Sequence, residues 1–361
     1  MRSSIHPLKN PKTYILLCSL AMLMNSRITS GIGKLPKVDL RDKKILWHLS
    51  EDSRISFTKL AQKAHLSRDA VRYRIMQLEK KKIIAGFTVE LDEHLFNINH
   101  YYVLMRTIDV PEEREQAFFT YIRQNPHIIS VIGFSDEWDL LLEIVAHTVE
   151  EFDSIITQLS STFPEMIELI DVFERVTIYA HTPIPQDVID LNNTGRFLKK
   201  LPTPDIKLDA TDRQILSLLS QDSRQSFHLL ASKVSLSADA VIYRVKKLVS
   251  TGVIRRFTTE CNLSYLGYSS YIFLMHFKSF SHDIEEKFRQ IALTHPNIVS
   301  AVKTIGNYNV MVTIVSRDSD GFHKTVRRLR REFVASIGGY DTLLAREEYK
   351  HASIALLIGV P

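Results

Sequence analysis

Residues 67–82 combine an apolar stripe with a polar face at helical spacing. Val71, Ile75 and Leu78 recur at intervals of four and three, so they fall on one side of a helix and indicate a face turned towards a core. Ser67 precedes this run, and its hydroxyl can accept a hydrogen bond from a free amide of the first turn. The pattern therefore predicts an amphipathic helix that begins directly after Ser67.

The other side of this predicted helix is basic. It carries Arg68, Arg72 and Met76, and three lysines follow at positions 80–82. A helix with one apolar face and one guanidinium-bearing face suits insertion into the major groove of DNA. An ordinary surface helix with a solvated charged face has the same pattern, so this helix alone does not decide between the two interpretations.

The same pattern occurs a second time, displaced by 170 residues. Ser237, Val241 and Leu248 stand at the positions equivalent to Ser67, Val71 and Leu78. The offset needs no gap between the two copies, and roughly half of the positions from 39 to 90 are identical to their counterparts. A period this long is typical of a duplicated multi-element unit and not of a solenoid repeat. The chain is therefore predicted to contain two copies of one module.

Each copy begins with the pattern of a helix-turn-helix unit. Asp39 can cap a first helix that buries Ile45 and Leu46, and Ser56 can cap a second, shorter helix. A tight turn at 63–66 then leads into the Ser67 helix, which completes the unit. Residues 83–90 alternate like a strand, as in a wing or strap, and residues 209–260 repeat the arrangement.

The rest of each copy predicts strands and helices in the order βαββαβ. The elements of the first copy are a strand at 101–108, a helix at 112–124, strands at 128–134 and 140–145, a helix at 149–161 and a strand at 167–179. Those of the second copy are expected at 271–277, 284–293, 298–304, 310–315, 322–333 and 342–349. This order is the ferredoxin-like arrangement of an antiparallel sheet with two helices on one face, which gives an α+β fold. The bare face of each sheet must be covered, so we expect the two sheets to pair.

The predicted boundaries divide the chain into seven segments. They are a leader at 1–36, a helix-turn-helix domain at 37–92, a ferredoxin-like domain at 93–181, a linker at 182–206, a second helix-turn-helix domain at 207–262, a second ferredoxin-like domain at 263–350 and a tail at 351–361. The apolar run at 14–24 is too short to span a bilayer as a helix. It suggests a dispensable or misassigned leader, with Met22 or Met24 as the true start, or alternatively an export signal. The linker is rich in proline and has no periodic spacing of hydrophobic residues, which is typical of a semi-stiff spacer.

Composition adds little to this picture. The 361 residues are 45% hydrophobic and 24% charged, as in an ordinary globular protein, and the net charge of +5 favours a polyanionic partner. The only cysteines are Cys18 and Cys261, so neither a disulfide framework nor a cysteine metal site is predicted. Neither a phosphate-binding glycine loop nor a nucleophile motif lies within the repeats, and we predict no enzyme activity, no metal and no cofactor.

These motifs, in this order and in tandem, resemble the Lrp/AsnC, or feast/famine, family of transcription regulators. The matching residues include Asp39, Asp42, Ile45 and Leu46, then Asp-Ser-Arg at 52–54, Leu-Ala at 60–61, Leu-Ser at 66–67, and Val71, Arg74, Leu78 and Ile84. The resemblance covers residues 38–349. It implies a DNA-binding regulator of amino-acid or central metabolism genes, located in the cytoplasm at the nucleoid. It also implies an amino-acid effector, and pairing through the sheets as a homo-oligomer or as a pseudo-dimer within one chain.

The turn expected to contact an effector departs from the family pattern, which is Gly-x-Tyr-Asp. The predicted effector residues are Asp136, Trp138 and Asp139 in the first copy, and Gly306, Tyr308 and Asn309 in the second. The first copy has lost the glycine and the second has lost the aspartate. An amide pairs with an ammonium group less strongly than a carboxylate does, and packing is the alternative role for the two aromatic residues.

The two DNA-reading helices are also unequal, because Ala238 and Ile242 replace Arg68 and Arg72 in the second copy. We therefore predict that the first copy is the stronger reader. The serines are expected to cap their helices, with phosphate contact as a further role, and the two conserved arginines at 74 and 244 could read DNA or be structural. The predicted DNA-binding residues are Ser67, Arg68, Arg72, Tyr73, Arg74, Met76, Lys80, Ser237, Tyr243, Arg244, Lys246 and Lys247.

Two other functions remain open at the level of sequence. Sirohaem decarboxylases resemble this build of helix-turn-helix plus ferredoxin-like unit, and Tyr308-Asn309 is similar to their Tyr-Asn signature. Their histidine-tyrosine motif in the preceding strand is absent, since Ser-Ala-Val-Lys stands at 300–303. The third possibility is a structural protein that binds DNA without sequence preference.

Overall fold

The computed structural model describes residues 27–29, 31–189 and 207–358. Its elements follow the predicted order in both copies, which confirms the α+β class with two helix-turn-helix modules. The first copy contains α1 (Leu40–Glu51), α2 (Phe57–Ala64), α3 (Arg68–Lys80), β1 (Ile84–Leu91), β2 (Asn99–Thr107), α4 (Glu112–Gln124), β3 (Ile128–Gly133), β4 (Leu140–Ala146), α5 (Val149–Thr162) and β5 (Ile167–His181).

The second copy repeats these elements, except at its last strand. It contains α6 (Ala210–Gln221), α7 (Phe227–Val234), α8 (Ala238–Ser250), β6 (Ile254–Cys261), β7 (Ser269–Phe277), α9 (His282–Thr294), β8 (Ile298–Ile305), β9 (Val310–Ser316), α10 (Ser319–Glu332), β10 (Ile337–Leu344), β11 (Glu347–His351) and α11 (Ala355–Ile358). The single strand predicted at 342–349 is wrong, since two strands with different partners, β10 and β11, lie there. Short 3-10 turns lie at Glu93–Phe96, Gln186–Ile189 and Leu263–Leu266. No described helix has both the length and the apolar character needed to cross a membrane.

The two ferredoxin-like units share one antiparallel sheet of nine strands, in the order β10-β7-β9-β8-β5-β2-β4-β3-β11. The long strand β5 pairs with β2 of its own copy over its first half and with β8 of the other copy over its second half. In the same way β10 pairs with β7, while β11 pairs with β3 of the first copy. Both predicted four-stranded sheets are present, as β10-β7-β9-β8 and β5-β2-β4-β3, and they are joined into one because β5 extends onto β8 and β11 pairs with β3.

The inner faces of the two half-sheets nevertheless cover each other, as expected. Leu104, Leu141, Phe173, Leu274 and Met311 meet there in one buried cluster. The helices of the two units pack on the opposite faces of their half-sheets, where each forms its own core. The helical layers therefore lie on the two outer sides of the paired sheets.

The helix-turn-helix modules exchange places over the sheets. The core of the first module includes Leu266 and Val315 of the second copy, whereas the core of the second module includes Phe96 and Val145 of the first copy. Each module thus sits against the ferredoxin-like unit of the other copy. This crossed packing buries apolar residues that neither copy could cover alone.

Two predicted boundaries fall inside packed structure. Ile184 and Val188, at the start of the predicted linker, are buried in the core of the first helix-turn-helix module. Ile354 and Ile358, in the predicted tail, occupy the equivalent places in the second module. Because both segments fill a core, 182–189 is not a free linker and 351–358 is not a free tail; the rest of the linker, 190–206, lies outside the described residues.

The predicted leader is likewise part of the fold at its end. Arg27 pairs with the buried Glu348 at 2.6 Å, and its backbone N–H donates to the same carboxylate at 2.7 Å. Ile28 is buried between the half-sheets. The expectation that all of 1–36 is dispensable is therefore wrong for Arg27 and Ile28, since the first neutralises a buried carboxylate and the second fills part of a core. The apolar run at 14–24 lies outside the described residues.

Candidate nucleic-acid interface

Local hydrogen bonds set the start of both candidate reading helices. The Ser67 hydroxyl accepts a hydrogen bond from the Ala70 N–H at 3.2 Å, and the Ser237 hydroxyl accepts one from Ala240 at 3.2 Å. These are the N-caps that the sequence predicted. Val71, together with Ile75 and Leu78, is buried as expected, so the opposite side of α3 faces outward.

The outward side of α3 presents most of the predicted reading residues together. Arg68, Arg72 and Lys80 are exposed, Tyr73 is 60% exposed and Met76 is 51% exposed. Among the described residues, neither Arg68 nor Arg72 has a hydrogen-bond or ion-pair partner, so both guanidinium groups are available to a ligand. The surface is basic and one helix wide, which matches the width of a major groove.

The equivalent side of α8 presents a different set of groups. Tyr243 is 70% exposed, and Lys246 and Lys247 are exposed, but Ala238 and Ile242 are only half-buried apolar residues. This side therefore has two lysine ammonium groups and an aromatic ring, but no guanidinium group that could donate two parallel hydrogen bonds. The structure thus places Tyr243, Lys246 and Lys247 on one surface, and this surface lacks counterparts of Arg68 and Arg72.

Arg74 and Arg244 do not point outward with the others. Arg74 donates to Asp39 at 2.8 Å and to Asp42 at 2.7 Å, the two residues of the capping box that begins α1. Hydrogen bonds to Asp42 and Asp39 raise the pKa of Arg74. Arg244 makes the same two contacts in the second copy, at 2.7 Å each, with Asp209 and Asp212. Both arginines therefore tie the reading helix to the first helix of their own module.

A two-stranded ribbon joins the helix-turn-helix modules. Strands β1 and β6 pair antiparallel, with Thr88 opposite Thr258, so equivalent residues face each other at its centre. We name this ribbon the strap. The sequence predicted a wing or strap strand in each copy but not that the two would pair. Pairing of the two strands fixes the distance and the orientation between α3 and α8.

The repeated Asp-Ser-Arg triplet forms a second, reciprocal contact between the modules. The Ser53 and Ser223 hydroxyls lie 2.7 Å apart and are buried. Arg54 donates to the Ser223 carbonyl and lies 4.2 Å from the centre of the Phe227 ring, while Arg224 donates to the Ser53 carbonyl. We name these two serines and two arginines the clamp. The available signal was the identical triplet at 52–54 and 222–224, outside the apolar face of either helix.

The predicted effector residues are held by contacts within the protein. Asp139 accepts hydrogen bonds from the Thr107 backbone at 2.6 Å and its hydroxyl at 3.1 Å, and Asn309 accepts one from the equivalent backbone of Phe277 at 2.6 Å. An amide oxygen accepts from a backbone N–H as a carboxylate does, which accounts for the aspartate-to-asparagine difference between copies. Asp136 likewise accepts from the Leu344 N–H at 2.8 Å.

The other predicted effector residues pack against the opposite copy or a neighbouring strand. Trp138 is buried, with the Arg106 guanidinium 5.5 Å from its ring. The Tyr308 hydroxyl donates to Asp341, and burial raises the pKa of this tyrosine. Gly306 has a φ of +143°, and a Cβ there would lie 2.8 Å from the Phe173 Cβ, so only glycine fits. The two turns therefore belong to the contact between the copies.

Comparison with known proteins shows which family has this arrangement of helices and strands. A model of the AsnC-type helix-turn-helix domain matches residues 38–79 and 208–249. An HTH-type transcriptional regulator of Mycobacterium tuberculosis is 30% identical over 126 residues, which span 34% of this chain and 83% of that protein. The chain belongs to the Lrp/AsnC family. It is a helix-turn-helix transcription regulator in which two family units are joined in tandem.

Two further proteins are similar to this Lrp/AsnC chain. The proline dehydrogenase transcriptional activator of Rhodobacter capsulatus is 28% identical over 130 residues, which span 36% of this chain and 84% of the activator. The crystal structure of the siroheme decarboxylase NirDL covers 88% of this chain and 96% of its own, with a TM-score of 0.57 and 14% identity. The last likeness is one of fold, and it extends over both copies.

The Lrp/AsnC chain also contains a buried charged cluster that sequence reasoning missed. His100 lies 2.8 Å from Glu143 and 3.2 Å from Glu93, and Arg175 pairs with Glu93. Burial alone would lower the pKa of His100, but hydrogen bonds to Glu143 and Glu93 outweigh it and raise the pKa. The equivalent positions in the second copy are Ser270, Thr313, Leu263 and Ala345. The two halves of the paired sheet therefore differ strongly in interior polarity.

Proposed function

We propose that α3 reads bases in the major groove of an operator through Arg68 and Arg72. The observation that carries this proposal is that both guanidinium groups are exposed, and unpaired within the described part of the chain, on a capped helix whose other side is buried. Arginine can bind guanine O6 and N7 with two parallel hydrogen bonds, which is the commonest base-specific contact. Tyr73, Met76 and Lys80 complete the proposed surface.

The second reader, α8, contributes affinity more than specificity in this proposal. Lys246 and Lys247 neutralise phosphates, and Tyr243 lies between them and the start of the helix. Ala238 and Ile242 can touch a thymine methyl but cannot donate hydrogen bonds. We leave Arg74 and Arg244 out of the reading set, since their donors are engaged with carboxylates of α1 and α6. Ser67 and Ser237 act as caps, with phosphate contact as a secondary role.

The proposed targets are genes of amino-acid or central metabolism, and the proposed location is the cytoplasm, at the nucleoid. The name of the Rhodobacter relative supports such targets, since it describes an activator of proline dehydrogenase. An amino-acid effector at the two turns stays a prediction. Its ammonium group would compete with the Thr107 backbone for Asp139.

We rank a decarboxylase function below regulation and propose that the chain is not an enzyme. The whole-chain likeness to the siroheme decarboxylase supports a shared fold. The two residues that carried the sequence resemblance are Tyr308 and Asn309, and their polar atoms contact Asp341 and the Phe277 backbone. Loss of carboxyl groups from sirohaem in the presence of the purified chain would reverse this ranking.

Replacement of both reading arginines tests the proposed interface. Arg68→Ala with Arg72→Ala should weaken binding to a specific operator by about 2–6 kcal/mol, because two bidentate contacts are lost. The matched control is Arg41→Ala with Arg213→Ala, which removes the same charge from exposed positions on α1 and α6. Fluorescence anisotropy with labelled operator, in the presence of excess unrelated DNA, measures the difference.

The same experiment separates specific from non-specific binding. If unrelated DNA competes as well as the operator, the chain is a general DNA-organising protein and not a specific regulator. If the Arg68 and Arg72 variant binds the operator as tightly as the control variant does, the assignment of α3 as the reader is wrong.

A further inference from the structure

The two ferredoxin-like units have opposite net charge. Residues 93–181 contain four Lys and Arg against sixteen Asp and Glu, a net charge of −12. The equivalent residues 263–351 contain twelve Lys and Arg against nine Asp and Glu, a net charge of +3. Units that pair symmetrically in the fold therefore differ by fifteen charges, which is far more than the reading helices differ.

The positive charge of the second unit is concentrated on the last two turns of α10. Arg327, Arg328, Arg330 and Arg331 are all exposed, and among the described residues none of them has a carboxylate within 4.0 Å. We name these four residues the basic patch. The guanidinium of Arg330 lies 4.7 Å from the centre of the Tyr340 ring, which orients it. In the first copy the equivalent residues of α5 are uncharged, at positions 157, 158, 160 and 161.

The first unit carries acidic residues at the corresponding end of its helical layer. The exposed carboxylates at the start of α4, in the segment before it and after α5 form the acidic patch: Asp109, Glu112, Glu113, Glu115 and Glu165. One cation lies within it, since Arg114 contacts Glu165 and also donates to the Thr162 carbonyl at 3.1 Å. In the second copy, positions 279, 282 and 335 are Ser, His and Ala, so only two acids remain there. One of them, Glu285, is paired with Lys303 at 2.7 Å.

Both patches lie at the ends of their helical layers remote from the DNA-reading modules. Val145, at the end of β4, contacts the second helix-turn-helix core, and α5 begins directly after this strand. Val315 of β9 contacts the first module in the same way, and α10 begins after it. A helix of 14 residues spans about 21 Å, so the patches at the far ends are removed from the proposed DNA surface.

We propose that the basic patch of one chain docks on the acidic patch of a second copy of the same chain. The charges are complementary, and the helical layers lie on opposite outer sides of the paired sheets, so one chain offers both halves of the contact to two different neighbours. Such a head-to-tail contact is heterologous and produces a closed ring or an open array. An unduplicated homodimer would present the same patch on both sides, and the contact could not form.

A pair of charge-reversal variants tests this assembly. The first is Arg327→Glu with Arg331→Glu, and the second is Glu112→Lys with Glu113→Lys. Each variant changes the charge of one patch by four and leaves that patch with a net charge of zero, so the attraction is lost and each alone should remain monomeric when the wild type associates. Mixed in equal amounts, the two variants bring together the unaltered acidic patch of the first and the unaltered basic patch of the second, so they should associate as pairs. The control is Lys59→Glu with Lys63→Glu, which changes the charge of α2 by the same amount as the first variant and should associate like the wild type.

Sedimentation velocity without DNA, at 20 mM and 500 mM salt, measures the assembly. We expect the wild-type dissociation constant to rise at least tenfold between the two salt concentrations, because surface charges are screened. A wild-type chain that stays monomeric at low salt, or a variant mixture that fails to associate, would overturn the proposal. If the Arg327 and Arg331 variant loses DNA affinity while wild-type association is absent, the basic patch is a DNA contact and the proposal is wrong.

Discussion

Single side chains on α3 have opposite roles although they are chemically alike. Arg72 is exposed and unpaired among the described residues, whereas Arg74 bridges α3 to the capping box of α1. The two positions are separated by about 200° around a helix, so burial of Val71 and Ile75 decides which arginine faces solvent. Charge alone does not distinguish them.

Replacement of each arginine by methionine separates these roles. Arg74→Met should lower the free energy of unfolding by about 1 kcal/mol, since a partly exposed double ion pair is lost and Asp42 keeps only backbone partners. The operator affinity of Arg74→Met should change less than threefold. Arg72→Met should instead weaken operator binding and leave the free energy of unfolding nearly unchanged. Urea denaturation and anisotropy measure both quantities. A tenfold affinity loss in Arg74→Met at unchanged stability would restore Arg74 to the reading set.

The buried histidine of the first copy predicts a pH dependence. The pKa of His100 is raised in the folded state, so its contribution to stability is fully present below the unfolded pKa of about 6.5 and is lost as the pH rises through the folded value. His100→Gln should therefore destabilise the protein by about 1–3 kcal/mol at pH 6 and by less at pH 9.

Two other buried groups also change the stability of the protein with pH, so the effect of His100→Gln must be measured as a difference from the wild type. Burial lowers the pKa of His295 to about 4 and that of Lys350 to about 7. Both groups therefore make the folded state more stable as the pH rises, which is opposite to the effect of His100. The difference between wild type and His100→Gln at each pH cancels these contributions. Urea denaturation at pH 6, 7.5 and 9 measures it, and a difference that does not vary with pH would contradict the assignment of a charged His100.

At the level of the element, the clamp and the strap determine where the reading helices stand. Arg54→Met with Arg224→Met keeps the volume of both side chains but removes the donors to the Ser53 and Ser223 carbonyls. We expect a loss of about 2–4 kcal/mol in the free energy of unfolding, because hydrogen bonds from a charged donor are lost on both sides. Arg41→Met with Arg213→Met, at exposed positions on α1 and α6, is the matched control.

Spin labels at Lys63 and Lys233 show whether the clamp restrains the modules. These lysines lie at equivalent positions near the ends of α2 and α7. Pulsed electron resonance should give one narrow distance in the parent chain and a broader distribution in the clamp variant. An unchanged distribution would mean that the strap alone fixes the modules.

Local sequence patterns predicted the elements well because their causes are local. The caps at Ser67 and Ser237, the apolar face of α3 and the bounds of α4 follow from residues within one or two turns. The partners of β1 and β5 could not be predicted, since an alternating strand specifies which side is buried and not which strand lies beside it. The Arg74 contact joins residues 35 apart and was left open for the same reason.

For the whole molecule, the fixed arrangement of the two proposed readers predicts strict operator geometry. We expect half-sites an integral number of helical turns apart, with the stronger site under α3. Insertion of 5 bp between them should lower affinity about 100-fold, since the second reader then faces the wrong side of DNA and its avidity is lost. Because the strap prevents adjustment, insertion of 10 bp should not restore binding. Anisotropy on three operators measures this, and full recovery at 10 bp would indicate a flexible joint.

The strands at the two ends of the nine-stranded sheet, β10 and β11, are consecutive in one polypeptide. Dilution therefore cannot separate the halves, and occupancy of an operator should follow a simple hyperbola at concentrations where a two-subunit regulator would fall apart. A cell could keep such a regulator at very few molecules and still have every molecule competent to bind.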